Sequence, residues 1–285
     1  MTPTYEIDNP RLSYETKLDL WETGFGLQKV DDLEPSPYMR ELAQQNSQGK
    51  LTYQEVYNQV TAYHQETDDS TREADLVAMR IVELLSSNAF KFAPTTLKLI
   101  HRELFFGLLP QGIPLGEYRS YNITKSEAVL NGDSVIYDDF RTVADSLTYD
   151  FQQESQFDYR GKSDIEVVQH IKTFISGIWQ IHPFGEGNTR TITVFLIKYL
   201  RTMGFQVDNK PLQENAKYFR DALVLDNAKL FQKKTEYLER FFENLLLAGQ
   251  HDLEIDLRDE RFLCSRLRRF RMFSSRKKED DDTQL

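Results

Sequence analysis

Apolar residues recur three and four positions apart along most of the chain, the spacing of one helix face. Between Lys17 and His64 they fall at Leu18, Trp21, Phe25 and Leu27, then at Tyr38 and Leu42, then at Val56, Val60 and Tyr63. This predicts three short amphipathic helices, the second opened by Ser36 as N-cap with Pro37 in its first turn. The polar run from Gln65 to Thr71 reads as a connection. Helical spacing returns at Leu76, Met79, Val82 and Leu85, and at Leu97, Ile100, Leu104 and Phe105. It continues from Val143 to Phe151, from Val168 to Ile178, from Ile192 to Leu200, from Tyr218 to Val224 and from Tyr237 to Leu247. Only between Gly116 and Tyr137 does the rhythm change. There Asn131-Gly132 separates Ala128-Val129-Leu130 from Val135-Ile136-Tyr137, a turn signal between β-favouring residues. The expected fold class is mainly α with one β-hairpin, preceded by a small three-helix unit, and the expected division is 1–65, 70–250 and an extension 251–285.

Composition narrows the function classes. The 285 residues are 40% hydrophobic and 28% charged, which fits a folded globular chain rather than a disordered or fibrous one. A net charge of −10 disfavours a general nucleic-acid coat, although Arg266, Arg268, Arg269 and Arg271 form a basic run ahead of the acidic stretch Glu279 to Asp282. The single cysteine, Cys264, builds neither an internal disulfide nor a multi-cysteine metal site. No apolar run approaches the ~20 residues of a membrane-spanning helix, and Met1 to Asp8 lacks the apolar segment of a signal peptide, so the expected location is cytoplasmic.

The densest chemistry lies in His182-Pro183-Phe184-Gly185-Glu186-Gly187-Asn188-Thr189-Arg190, between two apolar helical segments. A loop feeding a helix N-terminus offers free N–H groups and a favourable dipole to phosphate oxygens. Gly187 permits close backbone approach, and Asn188 and Arg190 add donors. Glu186 is a hard oxygen ligand suited to Mg²⁺, and His182 is a base whose ordinary pKa is about 6.5. The plain alternatives are a packed turn histidine, an acid that serves the helix dipole, and a surface arginine. Phe184 reads as a buried anchor of the loop.

These residues resemble the signature of the Fic domains, His-x-Phe-x-(Asp/Glu)-Gly-Asn-(Gly/Lys)-Arg-x-x-Arg, through His182, Phe184, Glu186, Gly187, Asn188 and Arg190. The resemblance implies transfer of AMP from ATP to a hydroxyl of a Ser, Thr or Tyr in a target protein or in the chain itself. His182 would be the general base, Glu186 the Mg²⁺ ligand, and Gly185, Glu186, Gly187, Asn188, Thr189 and Arg190 the nucleotide seat. Tyr218 would lie on a helix that helps hold adenine, against the plainer reading of a solvated face. The hairpin Ser126 to Tyr137 is placed like the family's flap, which pairs with a target backbone. Two positions depart from the signature: Thr189 replaces Gly or Lys, and Thr193 replaces the second arginine, a γ-phosphate contact in the family.

The front segment, with Leu33-Glu34-Pro35-Ser36-Pro37, Leu42-Ala43, Gly49-Lys50-Leu51-Thr52 and Glu55, is similar to the small VbhA-like antitoxins of Fic toxins. Their inhibitory glutamate pairs with the second arginine of the signature. Here the equivalent offset holds Leu27, Asp31 and Asp32, and Thr193 has no guanidinium, so that pairing is expected to be absent or reshaped and deletion of the front segment to have a small effect. ATP and Mg²⁺ are the implied substrate and metal, a target protein the implied partner, and nucleic acid and membrane are not expected; self-association is open. The competing readings are a Fic enzyme with a different donor and a regulatory module that binds nucleotide without chemistry. Tyr118, Arg119, Asn122 and Lys125 precede the hairpin with their roles open. Thr235 and Glu239 reproduce an inhibitory spacing by coincidence.

Overall fold

The computed structural model describes residues 12–67, 70–205, 207–230 and 232–255. Among them are α1 (Tyr14–Gly26), a 3-10 turn (Leu27–Asp31), α2 (Pro37–Ser47), α3 (Tyr53–Glu66), α4 (Arg72–Ser86) and α5 (Pro94–Phe105). A second 3-10 turn (Ala128–Leu130) follows, then α6 (Val143–Gln156), α7 (Asp164–Ile181), α8 (Asn188–Thr202), α9 (Lys210–Asp226) and α10 (Glu236–Leu246). The helical reading of the chain is met. Asp68 and Asp69 of the expected connection, Cys264, the basic run and the acidic stretch all lie outside the described residues.

Local chemistry starts the helices where the sequence places them. The Ser36 hydroxyl accepts from the Met39 N–H at 3.0 Å with Pro37 in the first turn, and Thr52 with Glu55 and Ser163 with Glu166 form complete capping boxes. α8 is the centre of the molecule. Every residue from Asn188 to Leu200 is buried, and the helix packs against α4, α5 and α7. A helix with apolar contacts on all sides must be interior. Phe90, Phe92, Phe151, Phe174, Phe195 and Tyr199 form an aromatic cluster along one side of it.

The front helices share this core. Leu20, Trp21, Phe25, Leu27, Met39, Leu42, Val56 and Val60 belong to the same buried cluster as α4 to α10. Polar contacts fasten them as well. Asp75 of α4 accepts from the Ser36 N–H at 2.7 Å and from the Ser36 hydroxyl at 2.6 Å, and its other contact is His64 Nε2 at 2.9 Å. Burial pushes the Asp75 carboxyl up from its ordinary value, while these partners pull it back down. α1 approaches so closely that a Cβ on Gly24 would stand 2.7 Å from the Ala78 carbonyl oxygen of α4, and one on Gly26 would stand 2.5 Å from the Gln213 Cα of α9.

The hairpin needs a correction. The reversal falls at Asn131-Gly132, both with positive φ, but among the described residues no strand forms. Ala128-Val129-Leu130, expected to be one arm, curls into a 3-10 turn because Val129 and Leu130 turn inward against α9. One ladder-like bond, Glu127 N–H to Asp133 O at 2.9 Å, closes the turn; one step further the Lys125 N–H meets the Ser134 hydroxyl instead of a carbonyl. The second arm is tied to α7 by the Gln180 side-chain amide donating to Ile136 O at 2.5 Å. Among the described residues no helix is long and apolar enough to cross a membrane.

The backbone contact at Gly26 yields the first prediction. Gly26→Ala forces α1 off α9, and overpacking of this kind costs about 1–3 kcal/mol. At this chain length each kcal/mol corresponds to about 2–4 °C in Tm. Thermal unfolding should show a drop of several degrees; an unchanged Tm would mean that the α1 to α9 approach is looser than described.

Candidate active site

α7 ends in a turn that aims its last side chain. His182 adopts φ 52°, ψ 63°, a left-handed conformation rarely used by residues other than glycine, and its N–H bonds Trp179 O at 3.1 Å. A buried arginine holds the turn. Arg119, 2% exposed, donates from Nε to His182 O at 2.8 Å and from its terminal nitrogens to the carbonyls of Ile181, Tyr121 and Asp138. Its own N–H bonds Pro183 O at 2.8 Å. The loop beyond is fixed from inside: Phe184 is fully buried and stacks on His101 with ring centroids 4.0 Å apart. The Asn188 side chain clasps the Phe184 backbone, accepting from its N–H at 2.9 Å and donating to its carbonyl at 2.8 Å. The Asn188 side chain thus helps to hold the loop, while the residue also lines the crevice beside His182.

Hydrogen bonds settle both imidazoles. His101 Nδ1 accepts the Gly116 N–H at 2.9 Å, so Nε2 carries the proton that faces Glu186 O at 3.2 Å. Burial lowers its pKa to about 4. His182 has the opposite tautomer: Nδ1 lies 3.1 Å from Trp179 O and must donate, leaving Nε2 as a buried acceptor with no partner. Burial first, then the charges of Lys125, Arg119 and Arg220, hold its pKa well below the ordinary imidazole value.

His182 lines a narrow crevice shared with Lys125, Glu127, Glu186 and the first residues of α8. The crevice lies beside an open cleft of about 620 Å³ that reaches the front segment and α9. Gly187, φ 70°, begins α8 with no side-chain cap, so the N–H groups of Asn188, Thr189 and Arg190 start the helix as an anion seat. A Cβ on Gly187 would collide with the Phe105 ring, and one on Gly185 with the Tyr121 hydroxyl. Glu186 is partly exposed. Its Oε1 accepts the Gly187 N–H at 3.2 Å and lies 3.5 Å from Lys125 Nζ. Thr189 faces the crevice, and its hydroxyl accepts the Trp179 indole N–H at 3.0 Å.

Two expected site residues are placed differently. Tyr218 packs between α9 and α10, its hydroxyl donating to Tyr237 O at 2.9 Å and its ring beside Phe241, and it lines neither the crevice nor the cleft. Arg190 is at the seat but 1% exposed, with hydrogen bonds at its two terminal nitrogens and none at Nε. It lies over the Phe105 ring, donates to Gln28 Oε1 at 3.2 Å and Glu73 Oε1 at 2.7 Å, and has Asp31 Oδ2 2.9 Å from Nε. Of the two outcomes expected for the acid-arginine pairing with the front segment, absent or reshaped, the structure has the reshaped one: Asp31 lies against Arg190, and Thr193 takes no part. Thr193 is buried in α8 with its hydroxyl on Thr189 O.

Residues 91–200 match the model of the Fic/DOC family. The matched span runs from just before α5 into α8 and contains Arg119, Lys125, His182, Glu186 and Arg190; the front helices and Tyr218 fall outside it. Among solved structures, the chain is similar to the N-terminal FIC domain of Bep8, a VirB-translocated effector protein of Bartonella sp. 1-1C. The two are 19% identical, the alignment covers 61% of this chain and 82% of that one, and the TM-score is 0.46. No curated protein matches the chain.

Several residues around the loop carried no local sequence signal. Gln28 and Glu73 reach Arg190 across 162 and 117 positions of chain. Glu127, buried in the turn, pairs with Arg220 of α9 at 2.5 Å. His101 was the findable one, a lone polar ring among the apolar positions of α5.

The paired imidazoles make a pH prediction. Both are neutral in the folded chain, whereas in the unfolded chain they take up protons below about pH 6.5. Protonation then favours the unfolded state, so their contribution destabilises progressively as pH falls through that value toward 4. NMR titration should find no midpoint for His182 between pH 5 and 8 and one near 4 for His101; a His182 midpoint near 6.5 would contradict the described burial.

Proposed function

We propose that the chain is a Fic-type protein adenylyltransferase, moving AMP from ATP to a protein hydroxyl. The observation that carries this reading is the unpartnered Nε2 of a neutral, buried His182, facing an uncapped helix N-terminus with Glu186 beside it. In the proposed reaction the target hydroxyl gives its proton to Nε2 while its oxygen attacks the α-phosphorus; the bond to pyrophosphate breaks and pyrophosphate leaves. The lowered pKa keeps His182 neutral, and so free to accept, but makes it a weak base without a bound anion. A polyphosphate at the α8 N-terminus offsets the charges of Lys125 and Arg220, which raises the affinity of Nε2 for the incoming proton.

Glu186 is the residue that would hold Mg²⁺. Its carboxylate is partly exposed, with only Oε1 in contact with Gly187 and Lys125. Mg²⁺ is commonly held by one or two carboxylates and completes its shell with water and phosphate. Mg²⁺ there would neutralise charge developing on the phosphates.

His182→Ala should lower the rate of transfer about 10²–10⁴-fold while leaving ATP affinity nearly unchanged. Mass spectrometry of a target or of the chain itself after incubation with ATP, Mg²⁺ and lysate reads the product directly. Gain of UMP, phosphate or phosphocholine in place of AMP would change the donor, and binding without any added mass would favour the regulatory module. The grip on Arg190 is the observation behind that second reading.

The front segment calls for a point substitution rather than truncation, because α1 carries Trp21, Phe25 and other residues of the common core. Asp31→Asn removes one of two carboxylates on Arg190 and leaves Glu73 in place. The expected result is a change of only a few-fold in ATP affinity by calorimetry. A gain of a hundredfold would show that Asp31 alone locks the seat.

A further inference from the structure

Among the described residues, four cations line the open cleft: Lys125, Arg190, Lys217 and Arg220. Three are held by carboxylates other than Glu186. Arg190 faces Asp31 and Glu73, Arg220 faces Glu127 and Asp221, and Lys217 faces Asp32. Lys125 differs. Its ion pair is with Glu186, at 3.5 Å, longer than the 2.7–2.9 Å of a charge-assisted hydrogen bond. Its side chain is about one-third exposed, and it borders both the cleft and the crevice that contains His182. The backbone beneath it is anchored: its N–H reaches the Ser134 hydroxyl at 3.3 Å, and two residues on Glu127 is fastened to Arg220.

Lys125 and Glu186 share one carboxylate contact at 3.5 Å, so a cation held by Glu186 would repel the lysine, and a polyphosphate at the α8 N-terminus would offer it a new partner. We propose that Lys125 is a phosphate-binding residue of this site, exchanging Glu186 for the polyphosphate of a nucleoside triphosphate and supplying from the turn segment the second cation that α8 lacks at Thr193. The assignment rests on the nucleotide reading above.

The test is calorimetric titration of the full chain and its variants with MgATP, with inorganic triphosphate and with adenosine. Lys125→Gln should weaken MgATP and triphosphate about tenfold and leave adenosine unchanged, while Lys125→Arg stays within a few-fold of the parent chain. Unchanged MgATP affinity in Lys125→Gln overturns the assignment. Equal weakening of adenosine, or failure of Lys125→Arg to retain triphosphate affinity, assigns Lys125 to local structure and overturns it too. If the parent chain binds neither MgATP nor adenosine, the nucleotide reading itself fails, a result distinct from a loss confined to the variants.

Discussion

The site depends on one buried guanidinium. Arg119 directs its side-chain donors to main-chain carbonyls, two of them, Ile181 and His182, at the C-terminal end of α7, where carbonyls lack helical partners and the dipole is negative. That is a favourable place for a buried cation without a carboxylate partner. Its consequence is geometric. The left-handed turn at His182 is costly, and a residue persists in it only when surrounding bonds over-determine the backbone. With the turn held, Nδ1 is committed to Trp179 O and Nε2 must face the crevice. The same guanidinium reaches Tyr121 and Asp138 on either side of the turn segment, so the floor of the crevice and its flank are positioned by a single side chain.

Around this rigid floor the charges are closely balanced. The cleft holds cations suited to phosphate, yet nearly all are already engaged by acids, and the seat is therefore close to neutral without a polyanion. Arg190 shows the consequence most clearly. A desolvated arginine between Asp31, Glu73, Gln28 and the Phe105 ring is stabilised where it lies, and moving it toward a phosphate exchanges one set of charge-assisted contacts for another. The front segment thereby becomes part of the electrostatics of the loop through Asp31 and Gln28, in addition to covering the core with Trp21, Phe25 and Leu27.

What was legible in the sequence was local. The 3.6-residue spacing of apolar positions and the Ser36-Pro37 start carry their meaning within one turn, and the structure places them as read; the nine residues from His182 to Arg190 stood out as one loop leading into α8. The misreadings arose where distant contacts overrule local preference. Asn131-Gly132 does reverse the chain, but Val129 and Leu130 gain more by packing on α9 than by extending into a strand. Tyr218 is drawn inward by Tyr237 and Phe241. The clasp that Asn188 makes on the Phe184 backbone was not read from the sequence, although Phe184 lies only four residues before it. The partners of Arg190 belong to α4 and the front segment, and no spacing rule connects them to it.

The threonine at 193 follows from the position of α8. Its side chain is fully buried, and its hydroxyl is satisfied four residues back along its own helix at Thr189 O. An arginine there would need either a carboxylate within the core or a path out to the cleft, and the cleft face of this helix is already occupied at its first turn by Arg190 with two acids. Burying an unpaired guanidinium costs several kcal/mol, on the order of a domain's whole stability. A small hydroxyl residue avoids that cost and lets α8 remain the tightly packed centre of the fold. If an anion is bound at the α8 N-terminus, as proposed, further positive charge would have to come from elements outside this helix, and the turn segment, held at Glu127 and beside His182, borders the same crevice.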